Sequence, residues 1–231
     1  FRHARDRGRD RTIDEQRQRL EFESQMLFVG HQRGISGIPV LVDWVRAPSP
    51  QLRGPHTGED GERLELPEDQ WIDEPYLVLQ YISGVPLSEA CRTNSYQRNL
   101  LGNAKQVILQ VGRVIEAFHA FRSIGGQEVA YIYQDLKPEN IMVTGEKQLM
   151  LIDFGSFAAR TPEKVYDSNV LVSTPPYRPP EFDWPGELTE RIRPPADVFS
   201  LGATVLHVFR KGPPIDESTG GGDYRTEGLD I

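Results

Sequence analysis

The chain has 231 residues, 38% of them hydrophobic, and a formal net charge of -8. That suffices for the core of one large domain, while the acidic balance argues against nucleic acid or an anionic membrane as the main partner, because phosphate backbones reward a basic face. The single cysteine, Cys91, excludes a disulfide framework and fits a cytoplasmic compartment; no apolar run approaches the roughly 18 residues that span a bilayer.

Residues 1–11 alternate arginine with aspartate and glycine. Thr12 and Glu15 then offer a capping box that opens a helix running to about His31, with Leu20, Met26, Leu27 and Phe28 on a packed face among the charges of Glu15, Arg17, Arg19 and Glu23. Gly34 and Gly37 mark its exit. Residues 38–45 and 76–82 read as buried strands, rich in branched and aromatic side chains. The polar, proline-bearing segment 46–74 between them reads as an insert outside the core. From Asn99 to about Ser123, apolar residues from Leu100 to Phe118 recur at helical spacing and predict one long core helix. Strand signals follow at 129–133, 141–143 and 149–152, the last two bracketing a turn at 144–147. A helix from near Asp197 is apolar almost all round, which predicts burial, and the tail from Lys211 is rich in Gly and Pro.

Two motifs sit at the ends of predicted strands: YQDLKPENIMV over residues 133–143 and IDFG over residues 152–155. Taken singly, Asp135 and Asp153 are ordinary turn aspartates and Lys137 a surface lysine. Together, in order and in register, they resemble the protein kinase pattern of H-R-D-L-x-x-x-N followed by D-F-G. That resemblance implies an α+β, two-lobed kinase fold with a partial N-terminal lobe over residues 1–80 and a mainly helical C-terminal lobe over residues 81–231. It also implies transfer of the γ-phosphate of ATP to serine or threonine of a protein substrate, with ATP and Mg2+ as cofactors.

The resemblance assigns roles residue by residue. Asp135 would accept or orient the substrate proton, Lys137 would lie over the transferred phosphate, and Asn140 and Asp153 would supply the hard oxygens that magnesium prefers. Phe154 and Gly155 complete the nucleotide-side motif. Glu23 resembles the helix glutamate that pairs with an ATP-binding lysine. Leu79 falls at the gatekeeper position, and Gln80 and Ile82 offer backbone groups to adenine. STPPYRPPE at residues 173–181 resembles the end of an activation segment, with Thr174 facing the catalytic aspartate and Glu181 as an anchor. Asp197 would hold the catalytic loop from beneath, and His119 reads as a satisfied core histidine. Lysine at 137 with Thr174 favours serine/threonine over tyrosine.

Three departures stand against the pattern. Tyr133-Gln134 replaces His-Arg, which removes the cation that would receive a phosphate from Thr161, Tyr166, Ser168 or Ser173. Nothing ahead of Glu23 reads as a glycine-rich loop or a strand lysine; only Arg2 and Arg5 lie near the required spacing, and the first lysine is Lys105. The chain also stops soon after the last helix. It is therefore expected to be truncated at both ends and inactive as it stands. A pseudokinase scaffold and a small-molecule phosphotransferase are the rival readings.

Overall fold

The computed structural model describes residues 13–49, 72–163, 165–166, 173–183 and 188–213. Thr12 of the expected capping box, Ser168, the central part of the insert and the tail beyond residue 213 lie outside that set. Helix α1 (Ile13–Gln32) forms where the sequence predicts it. Met26 and Leu27 are its buried residues of the core, and Gly30 lets it approach a neighbour closely. A Cβ on Gly30 would come within 2.5 Å of Ile38 Cδ1 and 3.1 Å of the Phe118 ring, so this helix settles only where a side chain is missing.

Strands β1 (Leu41–Ser49) and β2 (Ile72–Leu79) form an antiparallel ribbon, with Val45 opposite Tyr76. Residues 46–49 and 72–74, expected in the insert, thus extend the two strands. Nor are the strands buried as expected: Val42 is 63% exposed and Val78 40%. The reason is that β1 and β2 pair only with each other among the described residues. One face of the ribbon meets α1, and alternation turns every second side chain away from it.

The larger part begins with β3 (Gly84–Pro86), α2 (Leu87–Ala90) and α3 (Asn94–Gln97), the last capped by Thr93 Oγ1, which accepts from the Tyr96 amide. The predicted long helix is one continuous run in three parts: α4 (Leu100–Gln106), a π-helical turn (Val107–Val111) and α5 (Gly112–His119). It ends at His119, not near Ser123, because Arg122–Ile124 is strand β4, folded back on β5 (Gln127–Ile132) around Gly125 and Gly126. Both glycines have positive φ (59° and 84°), the conformation that a tight hairpin requires.

The hairpin of β6 (Ile141–Thr144) and β7 (Leu149–Leu151) matches the sequence signals and is joined by β3 in a three-stranded sheet. Strands β8 (Ala158–Arg160) and β9 (Val165–Tyr166) complete a four-stranded sheet with β4 and β5. Helix α6 (Pro194–Arg210) buries Ala196, Asp197, Ser200, Ala203, Thr204, His207 and Val208. The burial expected of it does not extend to Val198, Leu206 and Phe209, which are exposed. One main core joins α1, the 107–118 stretch, β6, β7 and the residues around Tyr133 and Phe154.

Candidate active site

The backbone at 133–135 is clamped from below. Asp197, fully buried in the first turn of α6, accepts from the Tyr133 amide through Oδ2 and from the Gln134 amide through Oδ1, each at 2.8 Å. His119 Nε2 meets the same Oδ2 at 2.8 Å, so the histidine is satisfied, as its sequence context suggested. Gln134 holds a left-handed φ of 70°, a strained state for a non-glycine residue that persists only where the surroundings enforce it. Its Nε2 donates to the Ser156 carbonyl at 2.8 Å, and Ser156 Oγ donates to the Tyr133 carbonyl at 2.8 Å. The side chain that replaces the arginine thus points into the protein and ties the two motifs together.

Above this clamp, Asp135, Lys137 and Thr174 form a closed ring. Lys137 Nζ donates to Asp135 Oδ2 at 2.6 Å and to Thr174 Oγ1 at 2.8 Å. Thr174 Oγ1 in turn donates to Asp135 Oδ1 at 2.8 Å. Burial holds the Asp135 carboxyl above the usual carboxylate range, although the Lys137 ammonium and the Thr174 hydroxyl offset part of that rise. Lys137 therefore reaches the carboxylate and Thr174, whereas the resemblance implied a place over a phosphate. Asn140 Nδ2 donates to the Asp135 carbonyl at 3.0 Å, and the Asn140 carbonyl accepts from the Ile152 amide at 2.9 Å, which carries the register of the loop into the second motif.

At that second motif Asp153 is left-handed (φ 63°). Tyr133, in the histidine's place, sends its hydroxyl to the Ile152 carbonyl and packs edge-on against Phe154 at 6.2 Å and Phe157 at 5.0 Å. Phe154 is buried between these rings and Phe118. The Phe154 amide donates to Glu23 Oε1 at 3.2 Å, so α1 does bring Glu23 to the site. Burial first, then the charge of Asp153, raises the Glu23 carboxyl to about 7.

The remaining predicted residues fall into two groups. Leu79 ends β2 half-buried against the core, and the Gln80 amide donates to the Val40 carbonyl at 2.9 Å, with Ile82 two residues further along the same connection. These three sit together at the junction of the ribbon and the larger part. Glu181 lies in a 3-10 turn (Pro180–Asp183), where Arg191 reaches its backbone carbonyl at 3.2 Å. Of the expected phosphosites, Thr161 is 1% exposed and thus shielded from a modifying enzyme; the Ser173 hydroxyl is also buried. The Tyr166 side chain lies outside the described set.

Two arginines carry interactions that the sequence did not announce. Arg33, just past α1, donates to the carbonyls of Ala117, Phe118 and Ala120 at 3.3–3.4 Å and to that of Val129 at 3.1 Å, with its guanidinium 5.0 Å from the Tyr131 ring centre. It satisfies the open carbonyl end of α5, favoured there by the helix dipole. Arg19 pairs with Asp153 Oδ1 at 3.0 Å. A position four residues before Glu23 shares its helix face, and that spacing was the available signal.

With this geometry in place, the chain can be set beside known proteins. The sequence model of the family described as Protein kinase domain matches residues 68–230, and the chain belongs to that family. It is 34% identical to the Citron Rho-interacting kinase of Homo sapiens over 106 residues, 46% of this chain and 5% of that protein. It is 29% identical to the serine/threonine-protein kinase PknA of Mycobacterium tuberculosis over 127 residues, 55% of this chain and 26% of that protein. To PknG of Mycobacterium leprae it is 27% identical over 130 residues, 56% of this chain and 14% of that protein. The chain thus spans about a quarter or less of the length of these curated relatives. The family match begins downstream of α1, so the placement of Arg19 and Glu23 comes from the structure alone.

Proposed function

We propose that this chain is the catalytic part of a protein serine/threonine kinase that transfers the γ-phosphoryl group of ATP to a protein hydroxyl. The observation that carries the reading is the closed ring of Asp135, Lys137 and Thr174 above the Asp197 clamp. In this reading residues 1–80 supply the smaller lobe and residues 81–231 the larger, with the nucleotide between them against Leu79, Gln80 and Ile82. A substrate hydroxyl approaches Asp135, whose carboxylate orients it and takes its proton as the new P–O bond forms and the bond to ADP breaks. Lys137 lies within 2.6 Å of that carboxylate, close enough to neutralise charge as it builds on the transferred group. Thr174 and Lys137 together favour serine or threonine as the acceptor.

The donor set fits a magnesium ion. Asn140 spends its side-chain nitrogen on the Asp135 carbonyl, which leaves its side-chain Oδ1 as the acceptor, and Asp153 already holds a cationic group at Oδ1. Magnesium takes one or two such protein oxygens and completes its shell with phosphates and water. Bound there, the ion would supply neutralisation of the phosphate oxygens. A cytoplasmic location fits the single, buried Cys91; no helix among the described residues is long and apolar enough to cross a membrane.

In a longer form of the protein that supplies a glycine-rich loop and a strand lysine, Asp153→Asn should abolish Mg-dependent phosphorylation of serine/threonine peptides, and Asp135→Asn should lose about 10²–10⁴ in rate. Peptide kinase assays check both. Either variant retaining near wild-type turnover would overturn the assignment, and Mg-ATP binding without turnover in the wild type would favour the pseudokinase scaffold.

A further inference from the structure

Asp153 reaches 134 residues across the chain for its ionic partner. Arg19 stands one turn before Glu23 on α1, and its guanidinium meets Asp153 Oδ1 at 3.0 Å. The arm travels over Gly155: a Cβ there would lie 2.4 Å from Arg19 Nε and 2.7 Å from Cγ, so the bare glycine is the track on which the arginine lies. Glu23 meanwhile turns to the Phe154 amide, leaving Asp153 to the arginine.

We propose that Arg19 is the resident counter-ion of Asp153, holding that carboxylate in place while no divalent ion is bound and competing with the ion for Asp153 Oδ1. The inference rests on the reading of Asp153 as a metal ligand. Two cations contend for one oxygen. The guanidinium offers planar N–H donors on a stem anchored in α1, whereas magnesium brings two charges but gives up its water reluctantly. The pair is only partly buried, with side chains 27% and 41% exposed, so water screens it and the competition is mild rather than a lock. Arg19 acts through Asp153 and is a positioning residue.

The test is a Mn2+ titration of the full chain, followed by electron paramagnetic resonance, at a saturating non-hydrolysable ATP analogue, beside a titration of the analogue without metal. Arg19→Gln should lower the Mn2+ midpoint by about two- to fivefold, the range of a screened ion pair, and leave metal-free nucleotide affinity unchanged. Arg19→Lys keeps the charge and should stay within about twofold of wild type. Gly155→Ala, which pushes the arm off its track, should lower the midpoint in the same direction and serves if Arg19→Gln does not fold. An unchanged midpoint in Arg19→Gln overturns the proposal, as does an equal shift in Arg19→Lys. Weaker metal-free nucleotide binding in Arg19→Gln also overturns it, making Arg19 a phosphate cation. Wild-type protein that binds the analogue but no Mn2+ would instead bring down the metal-ligand reading of Asp153 itself.

Discussion

From Tyr133 to Ser156 the polar groups are tied to one another and to α6 through buried hydrogen bonds: two amides on Asp197, Gln134 on Ser156, Ser156 on Tyr133 and Asn140 on Asp135. Helix α1, across the site, is held otherwise. Its ties include apolar packing at Met26 and Leu27, the close pass of Gly30 over Phe118, and the charged side chains of Arg19 and Glu23, with Arg33 just past its end. The difference teaches which half of the site is fixed in geometry and which in position only. A buried network loses several partners when one member goes, whereas a packed helix can slide or tilt while keeping most of its contacts.

The sharpest break is Asp197→Ala. It strands two buried amides and the His119 ring, and should cost about 3–5 kcal/mol in urea denaturation. A loss below about 1 kcal/mol would mean that the clamp is not what fixes the loop. On the α1 side, Arg33→Gln should cost less, about 1.5–3 kcal/mol, since its hydrogen bonds are charge-assisted but only partly buried. If the two variants proved equally destabilising in the same titration, the contrast between the halves would vanish.

A gentler probe uses His207 of α6, buried with Nδ1 at 2.6 Å from the Tyr177 hydroxyl. Burial first, and Arg92 second, lowers its pKa to about 4. The folded state thus resists a proton that the unfolded chain takes up near the usual histidine value of about 6.5. The sign follows: its share of stability is complete above about 6.5 and drains away as pH falls toward about 4. Thermal melts at pH 7 and pH 5 should show that fall in wild type and a shallower one in His207→Gln; parallel curves would rule the histidine out. The smallest expected effect is none at all. With Gln134 turned inward onto Ser156 and Thr161 buried, phosphatase treatment should leave peptide kinase activity unchanged, and a large drop would show a phosphate receptor elsewhere.

What could be read in advance follows the range of the forces. The β6–β7 hairpin was legible because residue type, spacing and turn chemistry are local signals; the clamp at Asp197, 64 residues from Tyr133, was reached only through the resemblance of the 133–143 and 152–155 motifs to protein kinases. The π turn was not. It keeps an apolar stripe through Val107 and Val111 while adding one residue to the turn, and its partner is distant: Gln110 Oε1 accepts from the Leu149 amide at 2.9 Å. The end of α5 was misplaced because Phe121 to Ile124 suits helix or strand equally, and only pairing with Gln127–Val129 decides between them. Arg33 was invisible for a related reason: it caps a helix other than its own.

That cap also turns α1 into a lever. Arg33 pins one end of the helix to the larger part, and Arg19 lies 14 residues away, about 21 Å along the axis at 1.5 Å per residue. A rigid tilt of about 10° about the pinned end carries Arg19 through about 4 Å but Gly30 through less than about 1 Å. The ion pair with Asp153 is therefore broken by a swing that leaves the contact with Phe118 nearly intact. Small rotations at the pivot are read out, magnified several-fold, at the Asp153 carboxylate.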